Sequence, residues 1–136
     1  MIDLIWTWFK KAVPSPTDKN KAVQYGVHLE EVAEGLAATG DVGMSLAVGG
    51  ISSVYKFESD NLNNVVDHKE FLDALCDQIV TAVGTAYMMG YDIRGALEEV
   101  NRSNWSKFVD GVPVFDENGK IKKGPNYSPP DLSKFV

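Results

Sequence analysis

Apolar and polar positions recur along most of the chain with the period of an α-helix. Over residues 70–86 the apolar side chains take one side of such a helix, and Glu70, Asp73 and Asp77 form a stripe on the other. Over residues 23–36 apolar side chains lie on two sides, which is typical of a largely buried helix. We therefore expect at least one carboxylate of this second helix to point into the protein.

Residues that begin and end helices divide the pattern into an all-α bundle of about four to five helices. Proline and glycine set the helix ends, and proline also disfavours helix in the residue before it. Thr17 or Asp18, Asp67 and Asp92 have side chains suited to cap the helices that they precede. The expected helices cover about 2–13, 18–39, 68–89 and 93–108, with a loop at Asn61–Asn64.

The stretch from Asp41 to Ser59 has helical spacing but contains glycines that weaken a helix. Gly43, Gly49 and Gly50 each cost roughly 1 kcal/mol relative to alanine. Such glycines either let two helices approach closely or lie at a subunit contact. The apolar residues of this stretch and the aromatic start of the chain favour an oligomer, because a small monomer would leave them in water.

The last 28 residues differ in composition from the helical part. Val112–Phe115 and Lys120–Lys122 have strand character and flank Asp116–Gly119, a plausible hairpin turn. Gly124–Val136 carries three of the six prolines and is expected to wrap on the bundle as an extended segment. We therefore expect one domain over 1–136, with a helical core at 1–108 and an extended tail or small hairpin at 109–136.

Charge and cysteine content narrow the class of protein. A net charge of −6 argues against a nucleic-acid binder with a broad basic surface. The apolar start precedes Lys10 and Lys11, the reverse of a signal peptide, and no run is long enough to span a bilayer. These features predict a cytoplasmic protein without a membrane partner. The single Cys76 suits a reducing compartment, and its apolar neighbours predict a core position.

The two acidic helices have no local counter-charge. No Lys or Arg occurs between Ala22 and Tyr55, and none occurs between Glu70 and Ile93. Acidic residues on a helix are most often a solvated face, but such faces usually mix the two signs of charge. Two acidic stripes are costly to hold close together unless a cation neutralises them, and oxygen ligands suit Mg²⁺ or Mn²⁺. The sequence therefore predicts a metal site.

The last helix and the tail supply hydrogen-bond donors that suit a phosphate or a base edge. They are Arg94, Arg102, Ser103, Asn104, Lys107, Lys120, Lys122, Lys123 and Tyr127. The cluster Trp6, Trp8 and Phe9 is either core or a wall on which a nucleobase stacks. Glycine loops that cradle phosphates and zinc-type histidine spacing are both missing from the sequence.

Several motifs together resemble the all-α nucleotide pyrophosphohydrolases, which include MazG, the dimeric dUTPases and phosphoribosyl-ATP pyrophosphohydrolase. The similarity covers nearly the whole chain and is greatest to the phosphoribosyl-ATP-pyrophosphohydrolase-like branch found in phages. Its motifs are Glu30-Glu31-x-x-Glu34, Glu70-x-x-Asp73-x-x-x-Asp77, Gly84-Thr85, Gly90, Glu99-Val100-x-x-Ser103-Asn104-x-Ser106-Lys107 and Lys123-Gly124-Pro125-Asn126-Tyr127-x-Pro129-Pro130-Asp131-Leu132.

The chain departs from that family's pattern at two places. The second acidic motif is usually E-x-x-D, and Ala74 stands here where its glutamate is expected, so that Asp73 or Glu70 must replace it. The basic residue that often precedes the first motif is missing, with Gln24 and Tyr25 in that region.

The resemblance implies a bundle that works as a homodimer or homotetramer and cleaves a nucleoside triphosphate between the α- and β-phosphates. It implies two to three Mg²⁺ or Mn²⁺ ions, Glu31 and Glu34 as catalytic residues, and dGTP among the possible substrates. A non-catalytic helical oligomer that binds nucleotides or a protein partner is the alternative. The implied metal ligands are Glu30, Glu31, Glu34, Glu70, Asp73 and Asp77, and the implied substrate contacts are Arg102, Asn104, Lys107, Lys123, Asn126 and Tyr127.

Overall fold

Five α-helices make up most of residues 1–58 and 65–136, the parts of the chain that the computed structural model describes. A π-helical turn, Val54–Glu58, continues the third helix, and a 3-10 turn forms at Ser133–Phe135. Over those two ranges the chain forms no β-strand, and the expected all-α class is confirmed. The helices are α1 (Ile2–Ala12), α2 (Asp18–Ala38), α3 (Val42–Ser53), α4 (His68–Met88) and α5 (Ile93–Trp105).

The helices begin at the caps that the sequence predicts. Thr17 accepts from the backbone of Asn20, whose side chain accepts in return from the backbone of Thr17. Asp67 accepts from the first backbone N–H groups of α4, and Asp92 accepts from Gly95 at 3.2 Å. Gly40 and Gly90 follow α2 and α4 with positive φ, which glycine adopts without steric cost. The loop predicted at Asn61–Asn64 lies outside the described residues.

The helices belong to two compact units. Unit 1 comprises Met1–Pro14, Val65–Val114 and Ile121–Val136, so that it contains α1, α4 and α5. Unit 2 comprises Ser15–Asn64, apart from the six residues outside the described ranges, and Phe115–Lys120, so that it contains α2 and α3. The single domain expected from the sequence stays a prediction.

The core of unit 1 lies between α1 and the end of α5. Trp8, Ala12 and Phe108 are buried there, and the rings of Trp8 and Phe108 stack with centroids 5.7 Å apart. Trp6 points outward and is 67% exposed. The aromatic start of the chain is therefore divided between a core residue and an exposed one. The last helix ends at Trp105, three residues before the predicted Phe108, and the Ser106 hydroxyl that follows it donates to the Ser103 carbonyl at 2.7 Å.

Unit 2 is built on a close approach of α2 and the end of α3. The Ser52 hydroxyl donates to the Gly26 carbonyl at 2.7 Å, and Ser52 is almost fully buried. A Cβ placed on Gly26 would lie 2.9 Å from the Ser52 carbonyl oxygen and 2.6 Å from Cγ of Lys56. The predicted turn also belongs to this unit, where the Asp116 side chain accepts from the backbone of Asn118 and of Lys120.

Beside its acidic stripe, helix α4 has two apolar sides with different surroundings. Ala86 is buried and Phe71 and Leu75 are half-buried, which marks one side as packed. The neighbouring side is apolar and exposed. Cys76 lies on this exposed side, so its predicted core position is wrong: apolar neighbours along a helix do not place a residue in the core when that side is left uncovered. The exposed apolar residues of this side are Leu72, Ile79, Val80, Val83 and Tyr87.

Candidate functional site

Glu30 is the carboxylate of α2 that turns into the protein, as expected for a helix apolar on two sides. Its two oxygens accept from different lysines, Oε1 from Lys56 and Oε2 from Lys120, both at 2.8 Å. The side chain is 29% exposed. Burial works to raise the pKa of Glu30, but the hydrogen bonds from Lys120 and Lys56 outweigh it and hold the pKa below the ordinary value.

This lysine pair changes the interpretation of two predicted site residues. Glu30 was expected to ligate a metal, and both of its oxygens are bound to ammonium groups instead. Lys120 was expected to hold phosphate, and it ties the turn at 116–119 to α2. No local pattern could have revealed the cluster, since the partners are 26 and 90 residues from Glu30 along the chain.

The remaining predicted metal ligands are exposed. Glu31 and Glu34 lie one turn apart on α2, whereas Glu70, Asp73 and Asp77 share a stripe of α4. Among the ion pairs formed within residues 1–58 and 65–136, none involves Glu34, Asp73 or Asp77.

The two acidic stripes belong to different units. The α2 carboxylates are in unit 2 and those of α4 are in unit 1. Within the described part of the chain, no three His, Cys, Asp or Glu side chains are grouped around a common metal position. Metal binding by these carboxylates stays a prediction.

Several predicted substrate contacts gather at the end of α5. The Lys107 ammonium donates to the Asn104 side chain at 2.7 Å. Gly124 lies against the Lys107 backbone, where a Cβ would be 3.0 Å from the carbonyl oxygen. The neighbouring Lys123 places its ammonium 4.8 Å from the centre of the Tyr127 ring. We call Asn104, Lys107, Lys123, Asn126 and Tyr127 the donor cluster.

Arg102, also predicted to bind substrate, is engaged by the chain itself. Its Nε and Nη2 donate to the two oxygens of Glu99 at 2.8 and 2.7 Å, and Nη2 also donates to the Pro129 carbonyl. The hydrogen bond from Arg102 and one from the Asp131 backbone lower the pKa of Glu99 to about 2. The same pairing raises the pKa of Arg102. Its guanidinium therefore faces the tail.

The residues Ser128–Phe135, which we call the C-terminal strap, run along α5. The Ser128 N–H donates to the Ser106 hydroxyl at 2.9 Å, and the Asp131 N–H donates to Glu99 at 3.0 Å. At the far end, the Asp92 N–H donates to the Phe135 carbonyl at 2.8 Å. The expectation of an extended tail wrapped on a helix is met along this segment.

Unit 1 thus carries an acidic stripe on α4 and a cationic, aromatic cluster at the end of α5. Carboxylates of this kind suit hard cations, whereas ammonium groups and a tyrosine ring suit phosphates and a base. In residues 1–58 and 65–136, no helix is both long and apolar enough to cross a membrane. The chain matches no family model, no curated protein and no solved structure with which it was compared.

Proposed function

We propose that this chain is a metal-dependent nucleoside triphosphate pyrophosphohydrolase that releases a nucleoside monophosphate and pyrophosphate. One observation carries the proposal. The basic residues neutralise Glu30 and Glu99, yet within residues 1–58 and 65–136 they form no ion pair with Glu34, Asp73 or Asp77. Carboxylates that the chain does not neutralise itself are suited to an external cation.

The proposed metal ligands are carboxylate oxygens. They fit Mg²⁺ or Mn²⁺, because both ions are hard cations that prefer oxygen ligands. Under this proposal Glu31, Glu34 and Asp77 are metal ligands. Either Asp73 or Glu70 is the further ligand on α4. Glu30 is not among these ligands, because its two oxygens accept hydrogen bonds from Lys56 and Lys120. Two to three bound cations would neutralise charge on the phosphate oxygens.

The chain's own side chains supply the remaining chemistry. A carboxylate of Glu31 or Glu34 accepts the proton of the water that attacks phosphorus. The ammonium groups of Lys107 and Lys123 bind phosphate oxygens as negative charge moves to the leaving pyrophosphate. The Tyr127 ring offers a stacking surface for the base, and the amides of the donor cluster bind its edge.

The working unit of this enzyme is proposed to be a homodimer or homotetramer. The exposed apolar side of α4 runs the length of the helix, and Met44, Leu46 and Ile51 of α3 are more than half exposed. Burial of apolar surface contributes roughly 25 cal/mol per Å², so covering these side chains with a second copy stabilises the assembly.

A pyrophosphate-release assay over the common NTPs and dNTPs, with Mg²⁺ and with Mn²⁺, tests the function. We expect hydrolysis that depends on the cation, with dGTP among the substrates. Glu34→Gln should abolish it and keep the fold, whereas Glu98→Gln, an exposed glutamate of α5, should not. A nucleotide that raises the melting temperature without being hydrolysed would identify a non-catalytic binder instead.

A further inference from the structure

The C-terminal strap is held at successive turns of a single helix. Its partners on α5 and the adjoining caps are Asp92, Gly95, Glu99, Arg102 and Ser106. These positions are three or four residues apart and therefore follow one face of the helix. The ring of Phe135 lies against Gly95, where any Cβ would collide with it.

We call this row of contacts between the strap and α5 the ladder. Its middle is the Glu99–Arg102 pair. A bidentate guanidinium–carboxylate contact is among the strongest hydrogen-bonded pairs in proteins. Here each partner also holds the strap, Arg102 through the Pro129 carbonyl at 3.1 Å and Glu99 through the Asp131 N–H at 3.0 Å. The pair therefore fixes two successive parts of the strap at once.

The strap begins at the residue that follows Tyr127. Ser128 is fixed through its N–H, which donates to the Ser106 hydroxyl at 2.9 Å, while that hydroxyl donates its own proton to the Ser103 carbonyl at 2.7 Å. At the other end of the same loop, Gly124 lies against the Lys107 backbone. The loop 123–127 is thus held at both ends, and ordering it before a ligand arrives lowers the entropic cost of binding.

We propose that the C-terminal strap is the positioning element of the donor cluster: Glu99, Arg102 and Ser106 hold the strap, and the strap holds Lys123 and Tyr127 beside Lys107. The identity of the ligand rests on the proposed function. In this assignment Arg102 is a positioning residue, and the nucleotide contacts are made by the loop that it steadies.

The first test follows the strap without any substrate. Trypsin cleaves after lysine, and a loosened strap exposes the bonds that follow Lys122 and Lys123. We expect Arg102→Gln and Ser106→Ala to be cut there several-fold faster than the unsubstituted protein. Arg94→Gln is the matched control, because the Arg94 side chain is 94% exposed and its ion pair at 3.9 Å uses the Asp92 side chain, not the Asp92 N–H that donates to Phe135. Equal cleavage rates in Arg102→Gln, Ser106→Ala and the control would overturn the proposal.

The second test follows the nucleotide. We expect Arg102→Gln to raise KM about tenfold with kcat within a factor of two, since hydrogen bonds of charged groups are lost from the strap and none from the reacting atoms. Faster cleavage with an unchanged KM would overturn the positioning role.

These two readouts separate the failure of each proposal. If the unsubstituted protein neither binds nor hydrolyses nucleotides, the proposed function fails, and whether the strap holds the loop 123–127 is decided by the trypsin test alone. Faster cleavage of Arg102→Gln and Ser106→Ala than of the control would still show that Arg102 and Ser106 hold the strap.

Discussion

At the scale of single residues, Gly26 determines how closely α2 meets the end of α3. We expect Gly26→Ala to lower the free energy of unfolding by roughly 1–3 kcal/mol, since the new Cβ would overlap a backbone oxygen that cannot move cheaply. Gly35→Ala in the same helix meets no atom within 4 Å and should raise it by up to about 1 kcal/mol. Urea denaturation followed by circular dichroism measures both values. Equal effects of the two variants would contradict the close approach.

The lowered pKa of Glu99 predicts that the stability of the folded protein depends on pH. Its pKa falls from 4.5 to about 2 in the folded protein, mainly through Arg102 and then through the Asp131 N–H. A lowered pKa means that the carboxylate stabilises the fold above about pH 4.5 and loses this effect as the pH falls toward 2. We therefore expect the melting temperatures of the unsubstituted protein and Glu99→Gln to converge from about pH 6 to about pH 2.5. A constant difference over that range would contradict the assignment.

At the scale of elements, the acidic stripe of α4 is expected to destabilise the helix when no cation is bound to it. Asp73 and Asp77 are four residues apart, a spacing at which like charges destabilise a helix by about 0.2–0.5 kcal/mol. Asp73→Asn should therefore melt slightly higher without metal and should lose the stabilisation by Mn²⁺ if Asp73 is a ligand. Glu70→Gln is the comparison, because it tests the other residue that could complete the stripe. Thermal melts with and without Mn²⁺ decide between them, and a full Mn²⁺ shift in both variants would exclude both residues.

The helix ends were predictable because their chemistry is local. The side chains of Thr17, Asp67 and Asp92 bond to backbone groups two or three residues away, so the sequence alone contains both partners. Helix α3 formed despite its glycines, with Asp41 accepting from Met44 at its start. The end of α5 was misplaced because Ser106 bonds to the strap, which is a distant part of the chain.

The candidate site was predictable in part for the same reason. The sequence pattern identified Asn104 and Lys107, which are neighbours on one turn, and the structure shows them bonded. It could not assign Lys56 and Lys120 to Glu30, or Pro129 to Arg102, because these partners are 26 to 90 residues away along the chain. Residue type alone does not reveal whether a lysine or an arginine serves a ligand or the fold.

At the scale of the whole molecule, the exposed apolar side of α4 predicts self-association. Light scattering at micromolar concentration should give a mass well above 14.9 kDa, near two or four times that value. Ile79→Lys should reduce the mass, because it places a charge in the apolar stripe. Thr85→Lys lies on another side of the same helix and should leave the mass unchanged. A mass near 14.9 kDa for the unsubstituted protein would exclude the oligomer.

The sharing of Glu30 between two lysines has a consequence for how this sequence can vary. Removing its charge leaves two ammonium groups side by side, and Lys56 is only 13% exposed. A related sequence that changes position 30 is therefore expected to change positions 56 and 120 as well, and to keep a small residue at position 26. Three positions that vary together and a fourth that stays small, spread across 95 residues of chain, would form a signature for recognising distant relatives when overall similarity is lost.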